Sequence, residues 1–301
     1  MKKNILFPCI SIIILYGCSV LSESQLTNIH VFAIAAKRYS AFPGEVVKKG
    51  QELQFKNNVL EASALTDSNQ IIRSLDIAKA QFETGKKFSK KADLSLALIQ
   101  KYASLLAQLS SDSYTDDLGK NAKELSGDLD DAIGLFNDQL SAKIPGNVGK
   151  GIAQIIKTIG DRVIKNKQAR ALKKFIPIGD TLIQLTVVNL VSALEEDLKP
   201  LTDRYKATFQ SEFRTIIFDH PEKIDYNMLQ FYVKTKSDYE DVEALRKRCI
   251  HSAIKMASSH KELKDNIIKK KNLKELLAEI KDFVSDVKEL YETLSTLSDN
   301  Q

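Results

Sequence analysis

Four histidines, one mid-chain cysteine and one glycine-rich loop are the residues whose types could do chemistry, and their spacing does not assemble a site. His30, His220, His251 and His260 contain no pair at i+3 or i+4, so the helix-borne His-Glu-x-x-His zinc arrangement is absent. Cys249 and His251 are two residues apart, which on a helix places them on different faces. Val242, Leu245 and Cys249 fall on one helical stripe, which predicts a buried structural thiol. There is no Gly-x-Ser-x-Gly nucleophile elbow. Pro145-Gly146-Asn147-Val148-Gly149-Lys150-Gly151 has glycines and a lysine that could cradle phosphate. Its first glycine is wrongly spaced, Gly151 stands where Ser or Thr should hold a metal, and no strand precedes it. An interhelical turn is the better reading. Carboxylates are abundant, but they are spread over charged faces. The expectation is a protein without catalysis, metal or small-molecule substrate.

The elements that would have to position any site are helices. In 301 residues there are only 12 Gly, 6 Pro and no Trp, with 43% apolar and 28% charged side chains. Sandwiches, barrels and doubly wound sheets need more turn residues than this. A net charge of +5 is small for the length and gives no reason to expect nucleic acid. The chain is long enough to bury a sizeable core without a metal or a disulfide.

The N-terminus carries an address. Lys2 and Lys3 precede an apolar run from Ile5 to Tyr16, which Gly17 and Cys18 close. Twelve helical residues reach about 18 Å, short of the ~30 Å hydrocarbon core, so a cleaved signal fits better than a spanning helix. Leu15-Tyr16-Gly17-Cys18 resembles the lipobox of bacterial lipoproteins, with Tyr16 bulkier than the residues usual at its position. The resemblance covers residues 1–19. It implies cleavage between Gly17 and Cys18, a diacylglyceryl group on the Cys18 thiol and an N-acyl chain on the new terminus. In a Gram-negative envelope Ser19, rather than Asp, implies the outer membrane. No other cofactor is expected. Cys9 would leave with residues 1–17, and Cys249 would remain without a disulfide partner.

The mature chain reads as a short tether, residues 18–26, followed by one helical domain, residues 27–301. The spacing predicts a helix from Thr27 to Ser40, ended by Phe42-Pro43-Gly44, and another from Glu45 to Ala64. Asp67 and Ser68 offer caps to a segment bearing Ile71, Leu75, Ala78 and Phe82. Leu94, Leu98, Tyr102, Leu105 and Leu109 continue the period. Pro200 predicts a kink or a fresh helix start, Asp219-His220-Pro221 a break, and Lys236-Ser237 a turn. The final helix is the best specified. Leu273, Ile280, Val287 and Leu294 repeat every seven residues, and Leu276, Phe283, Leu290 and Leu297 follow each by three. Leu277, Val284 and Tyr291 widen the stripe, and Asn272 with Glu275 resembles a capping box. The fold expected is all-α, an elongated bundle of long amphipathic helices with a coiled-coil-like C-terminal helix.

Two neighbouring segments carry opposite charge. Residues 111–138 hold eight acidic and two basic side chains; residues 143–174 hold nine basic and one acidic. They could fold back as a compensating hairpin. Alternatively Lys157, Arg162, Lys165, Lys167, Arg170, Lys173 and Lys174 could lie on an anionic surface, lipid or acidic partner. Phe175 to Leu194 is the most apolar stretch of the mature chain and is long enough to span a bilayer. Pro177, Asp180, Gln184 and Asn189 interrupt it, which favours a central core helix. The expected function is a lipid-anchored envelope protein acting as an interaction or scaffold module, attached to the membrane by lipid and to an unidentified protein partner. The alternative is a membrane-active protein that inserts residues 150–194, an architecture similar to that of some helical pore-forming toxins.

Overall fold

The computed structural model describes residues 21–84, 89–111, 116–159, 165–269 and 273–299. Among these residues there is no strand, and the all-α bundle follows: α1 (Glu23–Tyr39), α2 (Phe42–Ala64), α3 (Ser68–Thr84), α4 (Ser89–Leu109), α5 (Asp116–Gln139), α6 (Gly146–Ile159), α7 (Lys165–Ser192), α8 (Lys199–Asp219), α9 (Tyr226–Lys269) and α10 (Leu273–Asp299).

The helix starts follow cap chemistry. Helix α1 begins at Glu23, earlier than the expected Thr27, because Ser22 and Gln25 form a reciprocal capping box. Leu21 is already buried, so the folded body takes in the last residues of the expected tether. Pro43 occupies the first turn of α2, where its missing N–H costs nothing, and the helix opens at Phe42 rather than Glu45. The Asp67 carboxylate accepts from the Gln70 N–H at 2.8 Å and caps α3 as expected. Pro177 lies inside α7 without ending it. Pro200 does start α8, and the residues before it, Ala193–Leu198, form a turn of π-helix in which the Lys199 N–H bonds to the Leu194 carbonyl. The wider register carries the chain from α7 into α8 past the proline. The turn expected at Lys236-Ser237 is absent. Neither residue breaks a helix, and α9 runs unbroken for 44 residues, about 66 Å.

That helix is the axis of the molecule. Helices α1 and then α2 run antiparallel to it: Gln25 Nε2 donates to Asn266 Oδ1 at 3.1 Å, the Tyr39 hydroxyl donates to the Cys249 carbonyl at 2.8 Å, and Lys56 pairs with Asp238. On another side α7 and α8 do the same, through Gln184 to the Ala257 carbonyl at 2.9 Å, Glu195 to Arg246 at 2.7 Å, and Phe209 and Phe213 against Tyr232. Helix α10 turns back along the C-terminal half of α9 and also packs on α1. Its Leu276, Ile280, Phe283, Val287 and Leu290 are buried, so the stripe faces two neighbours as its width suggests. Helix α4 fills the space between α1 and α7, α3 lies on α2, and α5 and α6 form an outer hairpin on α4 and α7.

Two sequence expectations are refined here. The acidic helix α5 packs on α6, but α7 packs on α4, α6 and α9. The compensating hairpin therefore stops at α6, and the basic start of α7 lies outside it. The apolar stretch 175–194 is a core segment: Phe175, Ile176, Leu182, Ile183, Leu190 and Leu194 are fully buried. By length and composition alone the helical run Lys167–Asp219 could cross a membrane, although more than half of its most apolar window is buried in the bundle.

Candidate functional site

The densest polar chemistry is a buried chain of side chains on three helices. The Asp180 carboxylate, on α7, takes His260 Nδ1 at 3.1 Å and Lys264 Nζ at 2.6 Å, both from α9. His260 Nε2 lies 2.7 Å from the Tyr102 hydroxyl of α4. An ionised carboxylate only accepts, so the ring proton sits on Nδ1, and Nε2 is left to accept from Tyr102. Gln184 Nε2 adds a long 3.4 Å contact to Asp180. The walls are aromatic: Phe175 stacks on Tyr102 at 5.0 Å between ring centroids, and Phe32 meets His260 edge-on at 5.5 Å.

Position along the helices explains the cluster. Asp180 and Gln184 share one face of α7, and His260 and Lys264 share one face of α9, each pair at i,i+4. Gly179 lets the Tyr102 ring reach the α7 backbone, since a Cβ there would stand 2.2 Å from the ring. Burial would raise the Asp180 carboxyl, but the hydrogen bonds from His260 and Lys264, with the lysine charge beside it, outweigh that and hold it well below its ordinary range. Burial pushes the His260 imidazole below its usual value, against the pull of Asp180. Burial pushes the Tyr102 phenol up, and the Asp180 charge adds to that.

This constellation has the residue types of an acid–base relay without its access. Tyr102 and His260 are both 0% exposed, and the cluster reaches solvent at its other end, through the Lys264 side chain, about a third exposed, and the half-buried Gln184. What it does is satisfy every strong polar group where α4, α7 and α9 meet, in one arrangement. Asp180 is visible in the sequence only as an interruption of an apolar run, and His260 only as an isolated histidine. Their matched i,i+4 polar pairs were the available signal.

The other sequence candidates are placed as follows. Cys18 and Gly17 lie outside the described residues, as does Arg162. Lys157, Lys167, Arg170 and Lys174 are exposed, Lys173 is half-buried, and Lys165 opens α7, its side chain falling outside the description. Cys249 is fully buried and free, and burial raises its thiol strongly. The loop from Pro145 becomes the first turn of α6, with the Val148 N–H on the Pro145 carbonyl. His30 sits beside the Ala107 carbonyl and Ser110 at the end of α4, and His251 pairs with Asp286. Among the described residues no three His, Cys, Asp or Glu side chains converge as metal ligands.

Among the described residues the exposed apolar surfaces include two that stand out. One is a groove of about 810 Å³ between α1 and α10, lined by residues including Val31, Ile34, Phe42, Val287 and Tyr291. The other surrounds the turn between α8 and α9, where Phe218 is 81% and Tyr226 72% exposed, with Ile217, Leu229 and Val233 beside them. No family model matches the chain, and no curated protein or solved structure matches it either.

Proposed function

We propose that the chain is a lipid-anchored helical protein of the bacterial cell envelope, in the outer membrane where there is one, attached through Cys18 and acting as a non-catalytic interaction module. One separation carries the reading. The chain enters the body at Leu21 and Ser22, beside Gln25 and its partner Asn266, and the apolar tip around Phe218, Tyr226, Leu229 and Val233 stands 40 residues away along α9, about 60 Å. A protein held at one end presents that tip away from the bilayer, where the aromatic and aliphatic side chains suit a protein partner. The sealing of Tyr102 and His260 supports the non-catalytic part of the reading.

The alternative, insertion of residues 150–194, has the composition of Lys167–Asp219 in its favour. Against it stands the cost of stripping Asp180 of His260 and Lys264 and carrying the carboxylate into hydrocarbon. The test has three arms. Intact mass and membrane fractionation of the native protein beside Cys18→Ala read the anchor. A photo-crosslinker at Tyr226, against one at Lys123 on α5, reads the tip: adducts from Tyr226 alone are expected, and equal adducts from both would overturn the assignment of the tip. Dye release from liposomes would support the alternative, and none is expected.

A further inference from the structure

We infer that the basic residues Lys157, Lys167, Arg170 and Lys174 form a headgroup-docking face for anionic phospholipid, on the same end of the bundle from which the anchor leaves. The inference rests on the Cys18 anchor of the preceding proposal for its geometry, and on the fold for its charge.

The helical rise fixes where this end lies. The buried network is a common reference level, because Asp180 of α7, His260 of α9, Tyr102 of α4 and Phe32 of α1 meet there. From Phe32, α1 runs ten residues back to Ser22, about 15 Å. From Asp180, α7 runs fifteen residues back to Lys165, about 22 Å in the same direction. Gln168 confirms the direction, since its amide donates at 2.9 Å to the carbonyls of Leu109 and Ser111 at the C-terminal end of α4, beside which His30 of α1 sits. Helix α6 runs back alongside α7, with Gly151 against Ile178, and so brings Lys157 to the same end. By the same rise Lys167 and Arg170 stand about 20 and 15 Å from the reference level, matching the ~15 Å of Ser22. Lys157 and Lys174 stand about 12 and 9 Å from it, on the same end but further back from the exit of the chain.

The tether then sets the distance to the bilayer. Only Ser19 and Val20 separate Cys18 from buried Leu21, and three residue steps span at most about 11 Å. The ~8 Å Debye length at physiological salt is shorter than that full extension, so a charge on this end acts on the lipid surface only where the tether is less than fully extended and the face stands within about a Debye length of it. The acidic helix α5 packs on α6 and so offsets part of the Lys157 charge. The main neighbours of α7, which carries Lys167, Arg170 and Lys174, are α4, α6 and α9. Among the described side chains at this end, Glu23, Glu124, Glu262 and Asp265 stand against the four named cations and Lys120, Lys123 and Lys261. The first turn of α5 adds Asp116 and Asp117 in sequence, so the cationic excess is small and lies on α7. An acidic protein partner would be satisfied by a basic patch anywhere on the surface. Lipid is preferred because the patch coincides with the anchor.

The experiment uses the full-length acylated protein in phosphatidylcholine vesicles and in mixed phosphatidylcholine–phosphatidylglycerol vesicles. The anchor holds it on both, so binding is not the readout. Acetylation rates of Lys157, Lys167 and Lys174, read by mass spectrometry, are. Each basic side chain near an anionic surface is worth roughly fivefold in binding, so a several-fold drop in acetylation is expected on the mixed vesicles alone, lost again in high salt. In the charge-reversed Arg170→Glu/Lys174→Glu protein the drop at Lys157 and Lys167 should vanish, while an unchanged thermal melt shows the fold intact. Equal rates on both vesicles, with acyl mass present on Cys18, would overturn the docking face and leave the anchor standing. Protection on the mixed vesicles without acyl mass would overturn the anchor and leave the docking face standing.

Discussion

Asp180 Oδ1 and His260 Nδ1 stand 3.1 Å apart on helices that the sequence separates by 80 residues, with Lys264 on the second carboxylate oxygen and Tyr102 on the far ring nitrogen. A buried carboxylate so placed is tolerable only while its partners remain. Asp180→Ala leaves a sealed imidazole N–H and a lysine without their acceptor, and removing one member of a buried ionic group costs about 3–5 kcal/mol. Tyr102→Phe deprives only His260 Nε2 of its donor and should cost about 1–3 kcal/mol. Lys264→Ala takes the charged partner from a carboxylate that stays buried and should cost about 1–3 kcal/mol, less than Asp180→Ala because the lysine itself reaches solvent. Urea unfolding of the three variants checks the order, and equal small losses would show that the network contributes little.

The same network makes acid destabilising in two stages. His260 has its folded value pushed below the ordinary ~6.5. As pH falls through that ordinary value the unfolded chain takes a proton that the folded chain refuses, so stability is full above it and declines below it. Asp180 has its folded value depressed, so its contribution is present above the unfolded value of ~3.9 and is lost as pH falls further. Each group contributes a slope of at most about 1.4 kcal/mol per pH unit. His260→Gln is expected to flatten the first stage, between roughly pH 6.5 and 5, and to leave the second. Urea midpoints across that range distinguish the two, and an unchanged first stage would place it on other groups.

Gly179 and Gly127 should respond oppositely to alanine. At Gly179 the new methyl would stand 2.2 Å from the Tyr102 ring, which is itself stacked on Phe175 and cannot retreat freely. Overpacking of this kind costs about 1–3 kcal/mol, occasionally more. Gly127 lies in mid-α5 with open space around its Cα, so alanine there should gain up to about 1 kcal/mol of helix propensity. Thermal melts of the two single variants test the pair, with opposite shifts in Tm expected.

Cys249 offers a clock for global unfolding. Its thiol is fully buried behind the Tyr39 hydroxyl, which donates to its own carbonyl, and burial keeps it protonated at neutral pH. Only the thiolate reacts. Labelling with a thiol reagent should therefore proceed at the rate at which α1, α9 and α10 separate, and should rise steeply with denaturant. Rapid labelling in native buffer would mean that this part of the core opens locally.

Sequence periodicity reveals most of the helices and several of their caps, because apolar stripes and residues such as Asp67 and Pro43 act locally. It also marks α10 as two-sided, through the breadth added by Leu277 and Val284. It does not reveal the Tyr102–His260–Asp180 chain, since pairing across three helices depends on how they cross, and no local rule sets that. The early start of α1 depends on Ser22 and Gln25, a capping box easily passed over in a stretch that otherwise reads as tether. Lys236 and Ser237 are polar enough to suggest a turn, yet Lys56 from α2 covers the next position, Asp238, and tertiary contact keeps that stretch helical.

The continuity of α9 can be tested directly, and the separation of anchor and tip depends on it. Gln230 and Lys261 are both exposed and lie 31 residues apart on the one helix, so their Cα atoms should be about 46 Å apart. Spin labels introduced as Gln230→Cys and Lys261→Cys are expected to report a single distance distribution near that value. A turn at Lys236-Ser237 would fold the first ten residues of α9 against the remainder and pull the distance well below it. Ser237→Pro supplies the contrasting case. It removes the N–H that bonds to the Val233 carbonyl and drives the ring into that carbonyl, at a cost of about 3 kcal/mol or more. In the doubly labelled protein it should shorten or broaden the distribution and lower Tm. If it does neither, the N-terminal turns of α9 are dispensable, and the tip formed by Tyr226, Leu229 and Val233 is not held rigidly at the far end of the bundle.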